Sequence, residues 1–299
     1  TSIADWQQAS EQEYPQNIYI NNKQFKPSTT EGLWSGVTPY FWPKIGSLLF
    51  AGYYPVTMNN VSYEFTSTVN KMTVAGYTPG NYQTSGFVNT DKDAKYVEDF
   101  MYFNMTSTSC DARTTGPANN VKDGYHVDVV FKHALSWLTV VLKKDSYTPT
   151  SATITVKKVY FTKVNTTGTG TVDNSPVSGK SNIISWETTT AESNVYVLGS
   201  STNDNTTALT DDYTCIQPVI IPQQMDGNIV IVYEIKSSDG SSFTETKTIS
   251  LSSLDNDSDV DMWDPAKHYT YTVTIGTSEI LIDPIIDEWA DVTTTIDAK

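Results

Sequence analysis

Alternation of apolar and polar residues is clearest near the C-terminal end of the chain. Between residues 269 and 275, aromatic and β-branched side chains alternate with threonines, so Tyr269, Tyr271, Val273 and Ile275 share one face of an extended strand. A period of two with one apolar face predicts a half-buried β-strand. No nucleophile, general base or metal-ligand cluster accompanies this pattern. The segment therefore indicates a structural role before a catalytic one.

Similar short runs recur along the chain, separated by turn residues. Breaks fall at Gly76, at the Gly-rich turn Gly168-Thr169-Gly170 and at residues 238–241, where the composition predicts a hairpin turn. Helical periodicity is scarce, so helix is expected only as one or two turns near residues 3–11 or 93–95. Short strands without intervening helices predict an all-β fold of antiparallel sandwiches. The predicted strands are residues 17–20, 37–42, 48–54, 61–65, 100–103, 126–131, 138–142, 152–161, 195–198, 216–221, 228–235, 243–249 and 269–275.

Chain length and one polar stretch predict two domains. The 299 residues are more than one sandwich comfortably needs, and they suffice for two domains that each bury a core. Residues 107–123 are rich in Thr, Asn, Asp and Gly and show no periodicity, so they are the best candidate for a linker. We therefore predict an N-terminal domain at residues 1–125 and a C-terminal domain at residues 126–299.

Composition narrows the classes of partner. The net charge of −15 argues against nucleic acid or an anionic membrane surface as a partner, because both repel a protein of that charge. Ser and Thr make up about a quarter of the chain, and tyrosines outnumber phenylalanines, as is common in extracellular β proteins. No apolar run is long enough for a transmembrane segment. The start, Thr1 to Asp5, reads as a mature or trimmed N-terminus.

Candidate chemistry is sparse. The three histidines, His126, His133 and His268, have no ligands or catalytic partners near them in sequence, and His133 is expected to be a partly buried hydrogen-bonding residue. The cysteines, Cys110 and Cys215, are far apart and are expected to remain separate. The acidic residues 255–261 superficially resemble a calcium loop but lack its central Gly and its terminal Glu, so they are interpreted as a solvated loop. We expect no catalytic residue, no metal, no cofactor and no enzymatic activity.

Three motifs occur in order along the chain. Residues 41–43 form an aromatic-Trp-Pro block that is followed by an aromatic strand at residues 47–55. Residues 131–136 read Phe-Lys-His-Ala-Leu-Ser, and the third motif is residues 263–271 with the later Trp289. Together they resemble motifs of the fimbrillin-like proteins, which are pilus subunits and surface adhesins of gut and oral anaerobic bacteria. The second motif matches the opening of the family's C-terminal domain, and the third resembles its closing motif, in which Ala266 stands where the family usually has Gly.

The resemblance implies a fold and a function. It implies two Greek-key sandwiches of the transthyretin-like kind, and a structural subunit of a fimbria or a related cell-surface adhesin. Subunits of the family are exported as lipoproteins, lose an N-terminal strand by proteolysis and polymerise by donor-strand exchange, in which a strand of another subunit fills the vacated groove. The implied partners are other pilin subunits, and host or bacterial surface ligands are further candidates.

The tail of the chain is the candidate donor. It carries enough apolar residues either to serve as a donor strand or to close its own domain, and both alternatives stay open at this point. The candidate assembly residues are Ile280, Ile282, Ile285, Trp289, Val292 and Ile296.

A second functional class is a carbohydrate-binding surface lipoprotein that does not polymerise. Aromatic side chains could form a platform on which sugar rings stack, although core packing is the simpler explanation for them. The candidates are Trp34, Tyr40, Phe41, Trp42, Tyr53 and Tyr54. For Trp137, Trp186, Trp263 and Trp289 we expect positions in the core or at an interface between domains.

Overall fold

A computed structural model describes residues 23–29, 33–36, 47–48, 50–65, 70–79, 99–104, 108–109, 125–174, 183–189, 192–210, 212–215, 218–254, 261–277, 280–289 and 292–298. Within them the regular structure is β-strand, apart from one 3-10 turn at Leu251–Ser253. The all-β prediction is confirmed. The helical turns expected near residues 3–11 and 93–95 lie outside the described residues.

Two sheets form the C-terminal sandwich. One has the order β15-β10-β21-β22, with β16 also pairing with β10, and the other has the order β14-β11-β18-β19. Alternation explains their packing, since Tyr269, Tyr271, Val273 and Ile275 of β21 are all buried, as the sequence predicts. The strands are β10 (Ser136–Lys144), β11 (Ala152–Asn165), β14 (Glu192–Leu198), β15 (Tyr213–Thr214), β16 (Val219–Ile220), β18 (Asn228–Ser237), β19 (Ser242–Ser250), β21 (Lys267–Ile275) and β22 (Ile280–Glu288).

Two further sheets contain most of the described N-terminal residues. Their orders are β1-β2-β23-β9-β7-β4 and β13-β12-β6-β5, and we call them the N-terminal sheets. A second buried cluster, which includes Met72, Phe100, Tyr102, Leu135 and Ile184, lies here. The strands are β1 (Phe25–Pro27), β2 (Leu33–Gly36), β4 (Ala51–Tyr54), β5 (Val61–Phe65), β6 (Asn70–Tyr77), β7 (Met101–Asn104), β9 (Tyr125–His133), β12 (Gly168–Asp173), β13 (Ser185–Thr188) and β23 (Val292–Ala298). Two short pairs complete the set: β3 (Ser47–Leu48) with β8 (Thr108–Ser109), and β17 (Gln223–Gln224) with β20 (Met262–Trp263).

The Gly-rich segment is a strand, so the turn predicted at residues 168–170 is wrong. Gly168 and Gly170 belong to β12, which pairs with both β6 and β13. A Cβ atom on Gly170 would lie 2.8 Å from Ile184 and 3.0 Å from the Trp186 ring. The glycine is needed because the backbone approaches this aromatic ring closely, which is a recognised use of Gly within strands.

Strand pairings cross residue 125, so the two-domain division stays a prediction. β9 begins at Tyr125 and pairs with β7 and β23, while β12 pairs with β6. The chain therefore enters the N-terminal sheets again after its first strand of the C-terminal sandwich. Any division into domains has to assign β9, β12, β13 and β23 by contacts rather than by sequence position alone.

The predicted hairpin turn at residues 238–241 is confirmed. Gly240 has φ +86°, and the Asp239 carboxylate accepts hydrogen bonds from the backbone N–H and the hydroxyl of Ser241. Only glycine adopts such a φ without strain, which fixes the turn between β18 and β19. The thiol of Cys215 is free and buried, and Cys110 lies outside the described residues.

Candidate assembly site

Parts of the motifs that carry the family resemblance meet at one junction. The backbone N–H of Ala266 donates to the carbonyl oxygen of Leu135 at 3.0 Å, and the N–H of Trp289 donates to the carbonyl oxygen of Ala266 at 2.9 Å. The Ser136 hydroxyl donates to the carbonyl oxygen of Asp264 at 2.7 Å. The turn before β21 therefore joins the bend between β9 and β10 to the residue that follows β22.

Ala266 adopts a backbone conformation that normally favours glycine. Its φ is +59°, in the left-handed region where a Cβ atom is strained. Both of its backbone polar groups are hydrogen-bonded across the junction, which holds it there. This position therefore favours Gly over Ala.

Four rings pack through the junction as two stacked pairs that are joined by a tilted contact. His133 stacks on Trp289 with centroids 3.7 Å apart, and Trp137 stacks on His268 at 3.9 Å. The two tryptophans are 5.5 Å apart, which connects the pairs. We call these four residues the ring stack. It holds β9, β10, β21 and the end of β22 together.

Hydrogen bonds fix both histidines. Nδ1 of His133 lies 2.5 Å from a carboxylate oxygen of Asp99, and Nε2 of His268 lies 2.8 Å from the Thr139 hydroxyl. Burial raises the pKa of Asp99, while its hydrogen bond to His133 acts in the opposite direction. Burial lowers the pKa of His268, and the charge of Asp287 opposes that shift. These contacts orient rings within a packed junction, and His133 is buried and hydrogen-bonded as the sequence predicts.

A cleft of about 430 Å³ lies beside the ring stack. Its lining includes Tyr102, Lys132, His133 and Trp289, with Lys267 and Glu288 forming an ion pair at its wall. Among the described residues there is no group of three or more His, Cys, Asp or Glu that could hold a metal ion. The described part of the chain also contains no helix long and apolar enough to cross a membrane.

The candidate assembly residues divide between two strands and the ring stack. In β22, Ile280 is buried and Ile282 packs against the core of the C-terminal sandwich, whereas Ile285 is 50% exposed. Trp289 belongs to the ring stack. The other two candidates lie in β23, where Val292 pairs with Phe131 and Ile296 with Val127. The structure therefore does not combine the six residues into one strand.

β23 lies between two strands that are distant from it in sequence. It runs antiparallel to β9 over seven residue pairs, from Val292↔Phe131 to Ala298↔Tyr125, and parallel to β2 from Leu33↔Thr295 to Ser35↔Asp297. β9 and β2 are otherwise not neighbours in this sheet. Removal of β23 would therefore leave a slot with unpaired backbone groups on both sides.

The proposed aromatic platform and the acidic segment are described only in part by the structure. Of the aromatic platform, Tyr53 and Trp34 are partly buried and Tyr54 is 47% exposed, while residues 40–42 lie outside the described part of the chain. Tyr53 packs against the second core cluster, so core packing accounts for it. Of the acidic residues 255–261, residues 255–260 also lie outside the described part of the chain.

Asp99 and the pairing of rings were not identified from the sequence. The Asp99–His133 contact joins residues 34 positions apart, and the His133–Trp289 stack joins residues still further apart. No local pattern carries such information. The closing motif and the Phe-Lys-His motif gave only the positions of the rings, not their contacts.

Three solved structures to which this chain is similar are described as cell adhesion or fimbrial proteins. A putative cell adhesion protein from Bacteroides uniformis shows 16% identity, covers 84% of this chain and 76% of its own, and has a TM-score of 0.44. A putative cell adhesion protein from Bacteroides ovatus has 14% identity, 84% and 70% coverage and a TM-score of 0.41. A fimbrial protein from Bacteroides vulgatus has 16% identity, 91% and 86% coverage and a TM-score of 0.49. At these values a relative's function does not transfer to this chain.

Comparison at the level of sequence families gives a firmer result. No curated protein matches the sequence. The family model described as fimbrillin-like matches residues 1–289, which is nearly the whole chain. The resemblance stated from the motifs is thereby confirmed, and the chain belongs to the fimbrillin-like family.

Proposed function

We propose that this protein is an exported structural subunit of a bacterial fimbria, or a closely related cell-surface adhesin, without catalytic activity. Membership of the fimbrillin-like family supports this proposal. Its partners are other pilin subunits. Negative-stain micrographs of native cells with and without the gene test it, and surface fibres that are unchanged by the deletion, with no loss of adhesion, contradict it.

The position of β23 supports a finer proposal, assembly by donor-strand exchange. In the structure β23 fills the slot between β2 and β9 of its own chain. The same backbone hydrogen bonds would form if β23 came from another subunit, because the slot does not distinguish identical strands. We propose that the segment from Ile280 to Ile296 is needed for assembly and that β23 is the part that moves between subunits.

The short connection before β23 favours exchange. Only positions 289–291 separate the end of β22 at Glu288 from the start of β23 at Val292. A short connection limits where β23 can dock in its own chain, and short hinges promote swapping between copies. β22 stays in place in this scheme, since its buried Ile280 anchors it in the C-terminal sandwich.

A mixture of subunits that each carry one introduced cysteine, and that retain the buried Cys215, tests the exchange. One population carries Val127→Cys and the other Ile296→Cys, both with Cys110→Ser, so a disulfide between the two sites forms only between different chains. Opposed residues of antiparallel strands have Cα atoms about 4.5–5.5 Å apart, within the range of disulfides. Fibres assembled from the mixture should yield covalent dimers on mild oxidation.

Val129→Cys provides the matched control, because Val129 pairs with Thr294 rather than with Ile296. It should give far fewer dimers with Ile296→Cys. If fibres assemble and neither mixture cross-links, donor-strand exchange through β23 is wrong while the fimbrial role stands. A chain that lacks residues 292–299 should remain soluble and form no fibres, and normal polymerisation of it would contradict the same proposal.

A further inference from the structure

β19 is an exposed strand at the edge of the C-terminal sandwich. It pairs with β18 along its whole length, from Asn228↔Ser250 to Lys236↔Ser242, and the described residues provide no strand on its other side. Its first seven residues are exposed, and the Phe243 side chain is 51% exposed. A long edge of this kind offers unpaired backbone groups to another strand.

The core of the sandwich ends at β18, one strand before this edge. In β18, Ile229, Ile231, Tyr233 and Ile235 are all buried. Their partners across the pair belong to β19 and lie on the same face, because directly opposed residues share a face. These partners are Ile249, Lys247, Glu245 and Phe243, and only Ile249 is partly buried.

The sequence of β19 is complementary to itself when it is reversed. With a two-fold axis at Thr246, an antiparallel copy places Phe243 opposite Ile249 and Glu245 opposite Lys247, and each of these pairs occurs twice. The remaining positions pair Ser with Ser and Thr with Thr. Apolar, oppositely charged and Thr–Thr pairs are the cross-strand combinations that stabilise antiparallel sheets.

We propose that β19 pairs antiparallel with β19 of a second copy of this chain around Thr246. The contact joins two four-stranded sheets into one of eight strands. It is separate from donor-strand exchange, which uses β23 and the N-terminal sheets. It links subunits side by side, either within one assembly or between neighbouring ones.

Charge selects this register over its neighbours. A slip of two residues in one direction places Glu245 opposite Glu245, and a slip in the other direction places Lys247 opposite Lys247. Parallel pairing in register opposes like charges at both positions. A slip of one residue brings core-facing residues opposite outward-facing ones. Only the register centred on Thr246 pairs both charges and both apolar residues.

Existing contacts leave the charged residues available. The Tyr233 hydroxyl donates to the Glu245 carboxylate at 2.8 Å. This hydrogen bond holds the carboxylate on the core-facing side of the sheet, where Lys247 of the second copy would also lie. Lys247 forms no ion pair within the described part of the chain. In the dimer the ammonium group of the second copy's Lys247 would bind the carboxylate that Tyr233 already positions.

The expected dimer is weak, because one strand edge buries much less than a standard interface. Its dissociation constant should be on the order of 10 to 500 µM. Sedimentation equilibrium of the full chain across that range should show a reversible dimer. A monomer throughout would overturn the proposal.

Charge reversal gives the sharpest test. Glu245→Lys and Lys247→Glu each place like charges opposite one another, so each alone should weaken dimerisation at least tenfold. Mixed together they should form a heterodimer, because each chain then supplies the charge that the other lacks. The double variant Glu245→Lys/Lys247→Glu should recover dimerisation. Glu192→Lys, at the exposed start of edge strand β14 of the same sheet, changes the net charge as Glu245→Lys does and should have no effect.

Cysteine scanning tests the position of the axis. Thr246→Cys, in a chain with Cys110→Ser, lies opposite itself and should form a disulfide-linked dimer rapidly on mild oxidation. Thr244→Cys lies opposite Thr248 and should cross-link much more slowly. Equal cross-linking at the two positions, or failure of the mixed charge variants to associate, would overturn the pairing even if a dimer forms by another surface.

Discussion

β22 and β23, the last two strands that the structure describes, differ in composition and in where they pair. β22 is rich in isoleucine, β23 contains three threonines, and three positions separate them. β22 pairs with the strand that directly precedes it, beginning at Ile275↔Ile280, whereas β23 pairs with β2 and β9, far back in the chain. β22 forms from a local hairpin. β23 depends on contacts that close a very long loop, and such contacts form late and are the easier ones to exchange.

Deletion of residues 292–299 should show the difference between β22 and β23 most clearly. The deletion removes the partner of β9 and of β2, so backbone amides there should lose most of their protection against hydrogen exchange. Amides of β21 and β22 should keep theirs, because their pairing is internal to the C-terminal sandwich. Hydrogen exchange followed by mass spectrometry measures both. Equal loss in β21 would show that the two strands form one cooperative unit.

Trp289→Ala should have the largest effect of the point substitutions, about 2 to 3 kcal/mol of unfolding free energy. It removes the ring that stacks on His133 and leaves a cavity next to Trp137. Urea unfolding measures the loss. Trp289→Phe keeps an aromatic ring on His133 and serves as the control, with a smaller expected loss. Equal loss in the two variants would mean that the stacking contributes little.

Substitution of two isoleucines of β22 compares the core-facing side of this strand with its outward-facing side. Ile280→Ala should cost about 2 kcal/mol, because this side chain is 9% exposed. Ile285→Ala should cost less than about 1 kcal/mol, because that side chain is 50% exposed. Thermal unfolding of both variants measures the difference. If Ile285→Ala costs as much as Ile280→Ala, then β22 is covered on both sides and is less exposed than the isolated chain indicates.

The sequence predicts strands better than it predicts their partners. β5 has the predicted bounds, and β18 and β21 extend the predicted runs by two residues each, because alternation is a local signal. β6 was missed because its run is less rich in aromatic and branched residues and ends near Gly76. β12 was misread because its two glycines look like a turn until Trp186 is seen against them.

The candidate site was predictable in its residues but not in its arrangement. The closing motif identified Trp289, and the Phe-Lys-His motif identified His133, yet their 3.7 Å stack follows from the fold as a whole. The apolar residues of the tail likewise indicated one segment that serves as a donor or closes its own domain, and did not indicate that β22 and β23 enter different sheets. Pairing between distant strands depends on every intervening connection, which no short window of sequence contains.

Ala266→Gly should stabilise the junction between the two strands by about 0.5 to 1 kcal/mol. Ala266 has φ +59°, where a Cβ atom is strained and glycine is not, although glycine also loses more backbone entropy on folding. Thermal unfolding should show a higher midpoint. Gly76→Ala is the converse control, because Gly76 has φ +58° with nothing near its Cβ position, and it should destabilise by a similar amount. A lower midpoint for Ala266→Gly would mean that the alanine methyl makes packing contacts that outweigh the strain.

The smallest expected effect is a pH dependence of stability that comes from His268 of β21, the strand with which β22 pairs. Burial lowers the pKa of His268 below its ordinary value of 6.5, while Asp287, its partner across β21 and β22, opposes this shift. Below pH 6.5 the unfolded chain therefore binds more protons at His268 than the folded chain does. The contribution of His268 to stability is thus present above pH 6.5 and is lost as the pH falls towards the pKa of His268 in the folded chain. His268→Gln removes this contribution and retains a polar side chain near Thr139. Between pH 7.5 and pH 5.5 the unfolding midpoint of the unmodified protein should therefore fall more than that of the variant. Asp99, whose pKa burial raises, is present in both proteins and cancels in the comparison. Identical pH profiles would show that water reaches His268 freely and that the ring stack does not bury its charge.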